Sequence, residues 1–335
     1  MRLAATYRER DGGDLCGVNT LLNLEATRAS RRQQTIRHQI SCVGVGLHSG
    51  HRVAMRLLPA PVDHGTRVRR VDRADSEAIR LSWDSVCDTT MSTVVGRSDG
   101  VRVGTVEHLM AALAITEIDN LLIELDGPEV PIQDGSAAPF VFLLECAGIE
   151  VQDASRRVIE ILRPVVVESS GRWARLEPAE AAAFDTFIEF AHPLIQSQRI
   201  EIAFQPQRLK REIAPARTFG FADDVEQLRA RGLALGGSLR NAVVVGQDRI
   251  LNEEGLRFPD EFVRHKTLDA IGDLYLAGAP IIGRYVGHCA GHALHNKLLR
   301  ALFADRSAWR WVEERPARRA AQAQRAEPVT VAALG

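Results

Sequence analysis

The chain has 335 residues, of which 45% are hydrophobic and 25% are charged, and its formal net charge is −1. This composition is typical of a globular protein, and the length favours two domains of ordinary size. A nearly neutral chain lacks the broad basic surface that binds nucleic acid, so that class of function is excluded. Because no run approaches the ~18 apolar residues of a membrane-spanning helix, we expect no transmembrane segment.

The cysteines indicate the redox compartment. The chain has five of them, an odd number, and no CxxC pair. A disulfide framework or a thiolate zinc site is therefore not expected, and a reducing cytoplasm fits best. The five are Cys16, Cys42, Cys87, Cys146 and Cys289.

The two ends of the chain differ from its middle. Residues 1–32 mix charged residues with glycine and lack the apolar core of a signal peptide. We expect a disordered extension there, or a start codon assigned too far upstream. Residues 316–335 are rich in Ala, Arg and Gln, and we expect a mobile tail.

In the first half of the chain, strand patterns broken by glycines come before two helical patterns. Thr105 is predicted to be the N-cap of the first helix, with Glu107 in its first turn. The predicted elements are strands within 33–58 with a tight turn at 44–50, short strands at 79–82 and 92–95, a helix at 106–115, a strand at 120–125 and a helix ending at 147.

The second half follows the same order, with strands first and helices later. Strands followed by helices, given twice, predict an α+β fold with two domains, residues 33–150 and 156–305. We detect no sequence repeat between the halves, so any similarity between them is architectural. The predicted elements are strands at 165–168, 173–176, 184–190 and 199–204, a short helix at 225–231, a strand at 242–245, a helix at 261–276, a strand at 285–288 and a helix at 292–303.

The helix predicted at 261–276 carries an imidazole and two carboxylates at spacings of four. Residues four apart lie on one face of an α-helix. His265 and Asp269 can therefore close on a single metal ion, with Asp273 one turn further along. A lone His-x-x-x-Asp pair is more often an ion pair on a helix surface, so the metal interpretation needs a third ligand.

The dipeptide Glu107-His108 offers that ligand and a base. A hydrolytic zinc site has three protein ligands and one open position for water. Adjacent helical residues point about 100° apart, so His108 can bind the metal while Glu107 addresses the water from the side. The alternative for Glu107 is an ordinary acid in the first turn, favoured by the helix dipole.

A glycine-rich segment around His292 supplies a candidate acid. A cationic His292 can stabilise a developing oxyanion and protonate a leaving amine. Asp273 can hold that imidazole and keep its pKa high. His288 and His295, in the same segment, are interpreted as helix-capping histidines and are not assigned to the chemistry.

Other residues are candidates for contacts with substrate. Lys266 can contact a phosphate or hydroxyl group, and its alternative is a solvated lysine. Thr218 can hydrogen-bond a carbonyl oxygen, while Phe219 and Phe221 line an apolar wall or pack in the core. The segment 228–239 suits a flap or one wall of a lipid-sized passage, and equally a plain connecting loop.

Five motifs occur in one order across residues 33–303, nearly the whole chain apart from its ends. Together they resemble the UDP-3-O-acyl-N-acetylglucosamine deacetylases, the zinc amidases that commit sugar to lipid A synthesis. Five motifs in order are far more specific than any one of them. The motifs are GLHSG at 46–50, TVEHLM at 105–110, PIQDGS at 131–136, ARTFGF at 216–221 and EFVRHKTLDAIGD at 261–273.

The resemblance implies two domains of similar layered sheet-and-helix architecture, with the active site at their interface. It implies a zinc ion held by His108, His265 and Asp269, and the same ligands accept iron(II). The catalytic residues that it implies are Glu107 as general base, His292 as cationic partner, Asp273 as the group that orients His292, and Thr218 as a contact of the tetrahedral intermediate.

The resemblance also implies how an acylated nucleotide-sugar is bound. Lys266 and Phe219 would contact the nucleotide-sugar. The segment 221–245, which begins with Phe221, would form a hydrophobic passage for the acyl chain, with Leu47 near its mouth. We expect a monomer in the cytoplasm that binds this small molecule and no nucleic acid.

Two other interpretations stay open. A relative without activity could bind the acylated nucleotide-sugar or zinc, but the presence of Glu107, His292 and Asp273 together argues against pure binding. A zinc amidase acting on another acylated sugar is the second. Cys289 favours it weakly, because many relatives carry a basic residue at this position near the catalytic histidine.

Overall fold

The computed structural model describes residues 31–74 and 77–314. The extension predicted at 1–32 lies outside the described residues except for its last two, and Arg32 already begins the first strand. The mobile tail predicted at 316–335 lies outside them entirely. Among the described residues, no helix is long and apolar enough to cross a membrane.

The first half contains ten strands and two helices among the described residues. The helices are α1 (Glu107–Thr116) and α2 (Ala138–Ala147). The strands are β1 (Arg32–Ile36), β2 (Ile40–Val45), β3 (Arg52–Pro59), β4 (Thr66–Arg70), β5 (Ile79–Arg80), β6 (Val86–Asp88), β7 (Val94–Gly96), β8 (Arg102–Val103), β9 (Leu121–Leu125) and β10 (Ile149–Ser155).

The second half contains another ten strands and four helices among the described residues. The helices are α3 (Pro206–Glu212), α4 (Val225–Ala230), α5 (Glu261–Tyr275) and α6 (His292–Ala304). The strands are β11 (Arg157–Ile161), β12 (Val165–Ser169), β13 (Arg172–Glu177), β14 (Ala183–Phe190), β15 (Gln196–Ala203), β16 (Phe219–Phe221), β17 (Val243–Val245), β18 (Ile281–Ile282), β19 (Arg284–His288) and β20 (Trp309–Glu313).

The two halves build the same five-stranded sheet. The first sheet has the order β2-β3-β9-β4-β5 and the second has β12-β13-β19-β14-β15. In each, the central strand comes last in the chain, and it is antiparallel to one neighbour and parallel to the other. In each, at least one helix precedes that strand in the chain and one follows it. The two halves therefore share one sheet topology, although no sequence repeat is detected between them.

One continuous hydrophobic core joins these layers. It includes buried residues from both sheets, from α1, and from α5 and α6. All ten residues of α1 are buried, so this helix is enclosed by other elements on every side. The fold is mixed α and β, as predicted.

A glycine fixes how closely α1 and α5 approach. A Cβ atom added at Gly272 of α5 would lie 2.0 Å from the carbonyl oxygen of Glu107 and 3.0 Å from the backbone nitrogen of Ala111. No side chain fits that gap, so the two helices pack backbone to backbone at the first turn of α1. This contact places the start of α1 against the middle of α5.

Most predicted elements are confirmed to within three residues at each end, but the N-cap prediction for Thr105 is wrong. The N-cap is Val106, with no side-chain cap. Thr105 has a φ of 56°, and its hydroxyl donates to Oε1 of Glu129 at 2.8 Å. A partner 24 residues away therefore outcompetes the local cap. The predicted second domain, 156–305, leaves out β20, which pairs with β11.

Candidate functional site

Five of the predicted site residues meet where α1 and α5 touch. Glu107 and His108 are the first two residues of α1. His265, Asp269 and Asp273 follow one another at spacings of four on α5, and all five side chains belong to buried residues, at most 3% exposed. The predicted single helix face is confirmed, and burial excludes the alternative of ion pairs on a helix surface.

His108, His265 and Asp269 form a cluster with metal-ligand geometry. Oδ1 of Asp269 lies 3.5 Å from Nε2 of His108 and 3.4 Å from Nε2 of His265. A tetrahedral ion with ligands at 2.0–2.1 Å separates its donor atoms by about 3.4 Å. Within the described part of the chain, Oδ1 of Asp269 is buried and accepts no hydrogen bond. These three donors therefore fit a zinc-sized cation.

The atoms facing away from this cluster are held by neighbouring groups. Nδ1 of His265 lies 3.1 Å from the carbonyl oxygen of Ala216 and can donate to it, which leaves Nε2 for a metal. Lys266 donates from Nζ to Oδ2 of Asp269 at 2.8 Å. Burial lowers the pKa of His265 to about 3, so its imidazole is neutral, the form that coordinates cations.

Glu107 lies beside the cluster, where it can act on a water molecule. One carboxylate oxygen, Oε2, accepts a hydrogen bond from the backbone N–H of Thr93 at 3.1 Å. The other, Oε1, lies 3.8 Å from Nε2 of His292. Burial raises the pKa of Glu107 above its ordinary value, against the opposing pull of His292 and His108. A carboxylate with a raised pKa is a better proton acceptor.

Asp273 holds His292 in place. Its Oδ2 accepts a hydrogen bond from Nδ1 of His292 at 2.7 Å, and its Oδ1 accepts one from Oγ1 of Thr93 at 2.5 Å. Burial alone would lower the pKa of His292, but the charges of Asp273 and Glu107 dominate and raise it to about 9. The imidazole is therefore cationic at neutral pH, with Nε2 directed toward Glu107.

The predicted substrate contacts surround one cavity of about 630 Å³ that reaches these groups. Lys266 lies on its wall, with Nζ 5.6 Å from the ring centre of Phe219. Phe219 also packs edge-on against Phe262, so it lines the cavity and belongs to the core at once. The predicted residues that line the cavity are Leu47, Glu107, His108, Thr218, Phe219, Phe221, His265, Lys266, Asp269 and His292.

The segment predicted as a passage forms a small β-α-β unit. Strand β16 pairs in parallel with β17, and α4 lies between them in the chain. Apolar residues of this unit, including Val225, Leu228 and Leu239, line the cavity. Within 228–239, α4 ends at Ala230 and the remaining residues form turns and loop; several residues of the segment line the cavity.

Some residues around the site carry no local signal in the sequence. Thr93 and Tyr285 reach Asp273 and its neighbours only through the fold. His295 does have a signal, because it lies three residues after His292 on α6 and so faces the same side; its interpretation as a helix cap is wrong, since its Nδ1 contacts Asp273. His48 also lines the cavity, and both its ring nitrogens are buried without a partner among the described residues.

Comparison with known proteins agrees with this geometry. The profile of the family described as UDP-3-O-acyl N-acetylglycosamine deacetylase matches residues 33–304. Three curated proteins named UDP-3-O-acyl-N-acetylglucosamine deacetylase are similar to this chain. The protein of Acidithiobacillus ferrooxidans is 52% identical over 285 residues, that of Neisseria gonorrhoeae 49% over 285, and that of Xanthomonas campestris 50% over 283.

Each of these alignments covers 84% of this chain and 93% of the relative. Identity near one half over most of both chains agrees with the family profile, which matches residues 33–304. Members of this family are metalloenzymes. The chain belongs to the family of UDP-3-O-acyl N-acetylglycosamine deacetylases, hydrolases that act on an amide bond.

Proposed function

We propose that this protein hydrolyses the N-acetyl group of UDP-3-O-(3-hydroxyacyl)-N-acetylglucosamine and releases acetate, the committed step of lipid A biosynthesis. One observation carries the proposal: three metal donors, a carboxylate and a cationic imidazole open onto one cavity with an apolar wall. The names of the similar proteins support the choice of substrate.

We assign the metal to His108, His265 and Asp269, and we propose zinc as the ion. The same nitrogen and oxygen donors accept iron(II), which is the alternative. The ion would supply a Lewis acid that polarises the acetamide carbonyl and makes a water molecule more acidic. Lys266 and the carbonyl of Ala216 keep two of these ligands oriented through hydrogen bonds to their far atoms.

The remaining steps belong to Glu107 and His292. Glu107 takes a proton from the attacking water while the water oxygen bonds to the carbonyl carbon of the acetamide. The negative charge on the former carbonyl oxygen is stabilised by cationic His292 and by the hydroxyl of Thr218. The C–N bond then breaks, His292 gives a proton to the sugar amine, and acetate leaves. Asp273 keeps His292 protonated and aimed.

The cavity walls suggest how the two parts of the substrate are divided. Lys266 and Phe219 lie near the metal donors and would contact the nucleotide-sugar. Phe221 and the rest of 221–245, with Leu47 at the mouth, would enclose the acyl chain. Apolar walls of this kind exclude water from an acyl group and so contribute affinity in proportion to the area they bury.

We further propose that the repeated sheets mark two domains, about 33–150 and 156–305 with β20 added to the second, and that the site lies where they meet. The shared strand order supports this division. We also propose that the protein acts as a monomer.

Acetate release with paired substrates tests the substrate assignment. The enzyme should deacetylate UDP-3-O-acyl-N-acetylglucosamine much faster than the same acylated sugar without UDP. Equal rates on both would favour the alternative of a zinc amidase that acts on another acylated sugar, which Cys289 favours weakly. No acetate from either, with folded and metal-loaded protein, would favour a binding protein that lacks activity.

A further inference from the structure

His295 is a second histidine on the carboxylate that holds His292. It is 1% exposed, and its Nδ1 lies 2.7 Å from Oδ2 of Asp273. The same oxygen is 2.7 Å from Nδ1 of His292. On the far side of the ring, Nε2 lies 2.9 Å from the hydroxyl oxygen of Tyr285. A buried chain of four groups therefore runs from Tyr285 to His292.

The chemistry of these groups sets the direction of each hydrogen bond. The carboxylate of Asp273 only accepts, because burial is outweighed by the two histidines and its pKa lies below the ordinary value. Both Nδ1 atoms therefore carry a hydrogen. Burial raises the pKa of Tyr285 far above neutrality, so its O–H is intact and donates to Nε2 of His295. His295 then accepts from Tyr285 at Nε2 and donates from Nδ1 to Asp273.

We propose that His295, backed by Tyr285, is a positioning residue for the deacetylation, because its hydrogen bond fixes the carboxylate that aims His292. The inference rests on the proposed function of His292. Thr93 donates to Oδ1 of Asp273, and His295 donates to Oδ2. These two hydrogen bonds hold the carboxylate in the orientation in which Oδ2 also accepts from His292. Rotation of the carboxylate would break at least one of these bonds.

Other titratable groups near His292 lie on α1, on α5 and in the turn at 46–50. Glu107 of α1 lies 3.8 Å from its Nε2, and Asp269 of α5 adds a more distant negative charge. His48, from the turn at 46–50, opposes them electrostatically. The effect of His295 on His292 passes through Asp273, because both imidazoles are hydrogen-bonded to the same oxygen, Oδ2.

Two amide substitutions distinguish the contributions of the two ring nitrogens of His295. In His295→Asn the amide nitrogen takes the place of Nδ1 and can still donate to Asp273. In His295→Gln the amide reaches the place of Nε2, next to Tyr285, and the donor to Asp273 is lost. We expect His295→Gln to lower kcat roughly tenfold or more with little change in KM, as for loss of a hydrogen bond to a charged group. His295→Asn should retain most of the rate.

The titration of His292, followed by NMR in zinc-loaded protein without substrate, gives a readout besides activity. When His295 no longer donates to Asp273, the negative charge of that carboxylate stabilises the imidazolium of His292 more strongly. His295→Gln should therefore raise the pH at which His292 titrates, while His295→Asn leaves it unchanged. If folded His295→Gln matches wild type in kcat and titration, or if His295→Asn falls as far as His295→Gln, the proposal is wrong.

The two readouts also separate this proposal from the proposed function. A shifted titration in His295→Gln alone, in a protein that releases no acetate, would support the positioning role and contradict the deacetylase assignment. Normal acetate release with neither readout changed would contradict the positioning role and leave the assignment intact. Tyr285→Phe, which removes only the distal hydroxyl, should cause a smaller loss of kcat than His295→Gln.

Discussion

Gly272 of α5 lies directly against the backbone of Glu107, where a Cβ atom would sit 2.0 Å from the carbonyl oxygen. The geometry of the candidate site depends on this contact. Asp269 and Asp273 flank Gly272 on the same helix, and His108 follows Glu107 on the other. A shift between the helices would therefore separate the metal donors on α5 from the one on α1.

Gly272→Ala should accordingly damage both stability and metal binding. Forcing a methyl group into a closed backbone contact costs about 1–3 kcal/mol in unfolding free energy, and the donor atoms move apart. Urea denaturation and zinc titration would measure the two effects. Gly104→Ala is the matched control, because its added Cβ would meet nothing closer than 3.7 Å. Similar stability and zinc affinity in both variants would contradict the packing argument.

Glu107→Gln tests the general base. The amide keeps the shape of the side chain but cannot accept the proton of the attacking water, so kcat should fall by about 10²–10⁴-fold. Zinc content should stay at the wild-type level, because Glu107 is not one of the three donors.

Glu180→Gln, on an exposed carboxylate remote in sequence from the site, serves as the control and should leave kcat unchanged. Metal analysis and acetate release would be measured on the same samples. A Glu107→Gln enzyme with wild-type turnover would rule out this residue as the base.

The pH profile of kcat/KM should show a basic limb from His292. In the proposed mechanism the active form of His292 is the imidazolium, which loses its proton as pH rises through its pKa of about 9, well above the ordinary value of 6.5. Activity should therefore fall in that range. The acidic limb reflects the ionisation of Glu107, because only the carboxylate can accept a proton from water. Burial raises the pKa of Glu107 above 4.5, so activity should rise as pH increases through that raised pKa.

His292→Gln distinguishes this origin of the basic limb from others. The variant should lose most of its activity and the remaining rate should lack the limb near pH 9. A limb of unchanged position in His292→Gln would assign it to another group.

Zinc should stabilise the native protein through His108, His265 and Asp269. A ligand that binds only the folded state at 100 times its Kd adds about 2.7 kcal/mol. The melting temperature of metal-stripped protein should therefore rise when zinc is added, and Asp269→Asn should largely abolish the rise. Asp153→Asn, at an exposed ion pair with Arg32, is the control. Equal zinc-induced shifts in the two variants would exclude Asp269 as a ligand.

Local periodicity was enough to predict the face of α5 that carries His265, Asp269 and Asp273, because helical spacing alone determines it. It was not enough for Thr105, whose hydroxyl bonds Glu129 rather than its own helix. Thr93 lies 180 residues from Asp273 in sequence, so only the assembled fold reveals their contact. The common strand order of the two sheets could not be predicted from the sequence either, because the two halves share this topology without a detectable sequence repeat.

The most direct test of metal-dependent deacetylation is acetate release from UDP-3-O-acyl-N-acetylglucosamine by three forms of the enzyme. These are the protein as purified, the protein after chelator stripping, and the stripped protein with one equivalent of zinc restored. Activity that disappears on stripping and returns with zinc is the predicted result. Stripped, folded protein that keeps its full rate, or no activity in any form, would contradict the account.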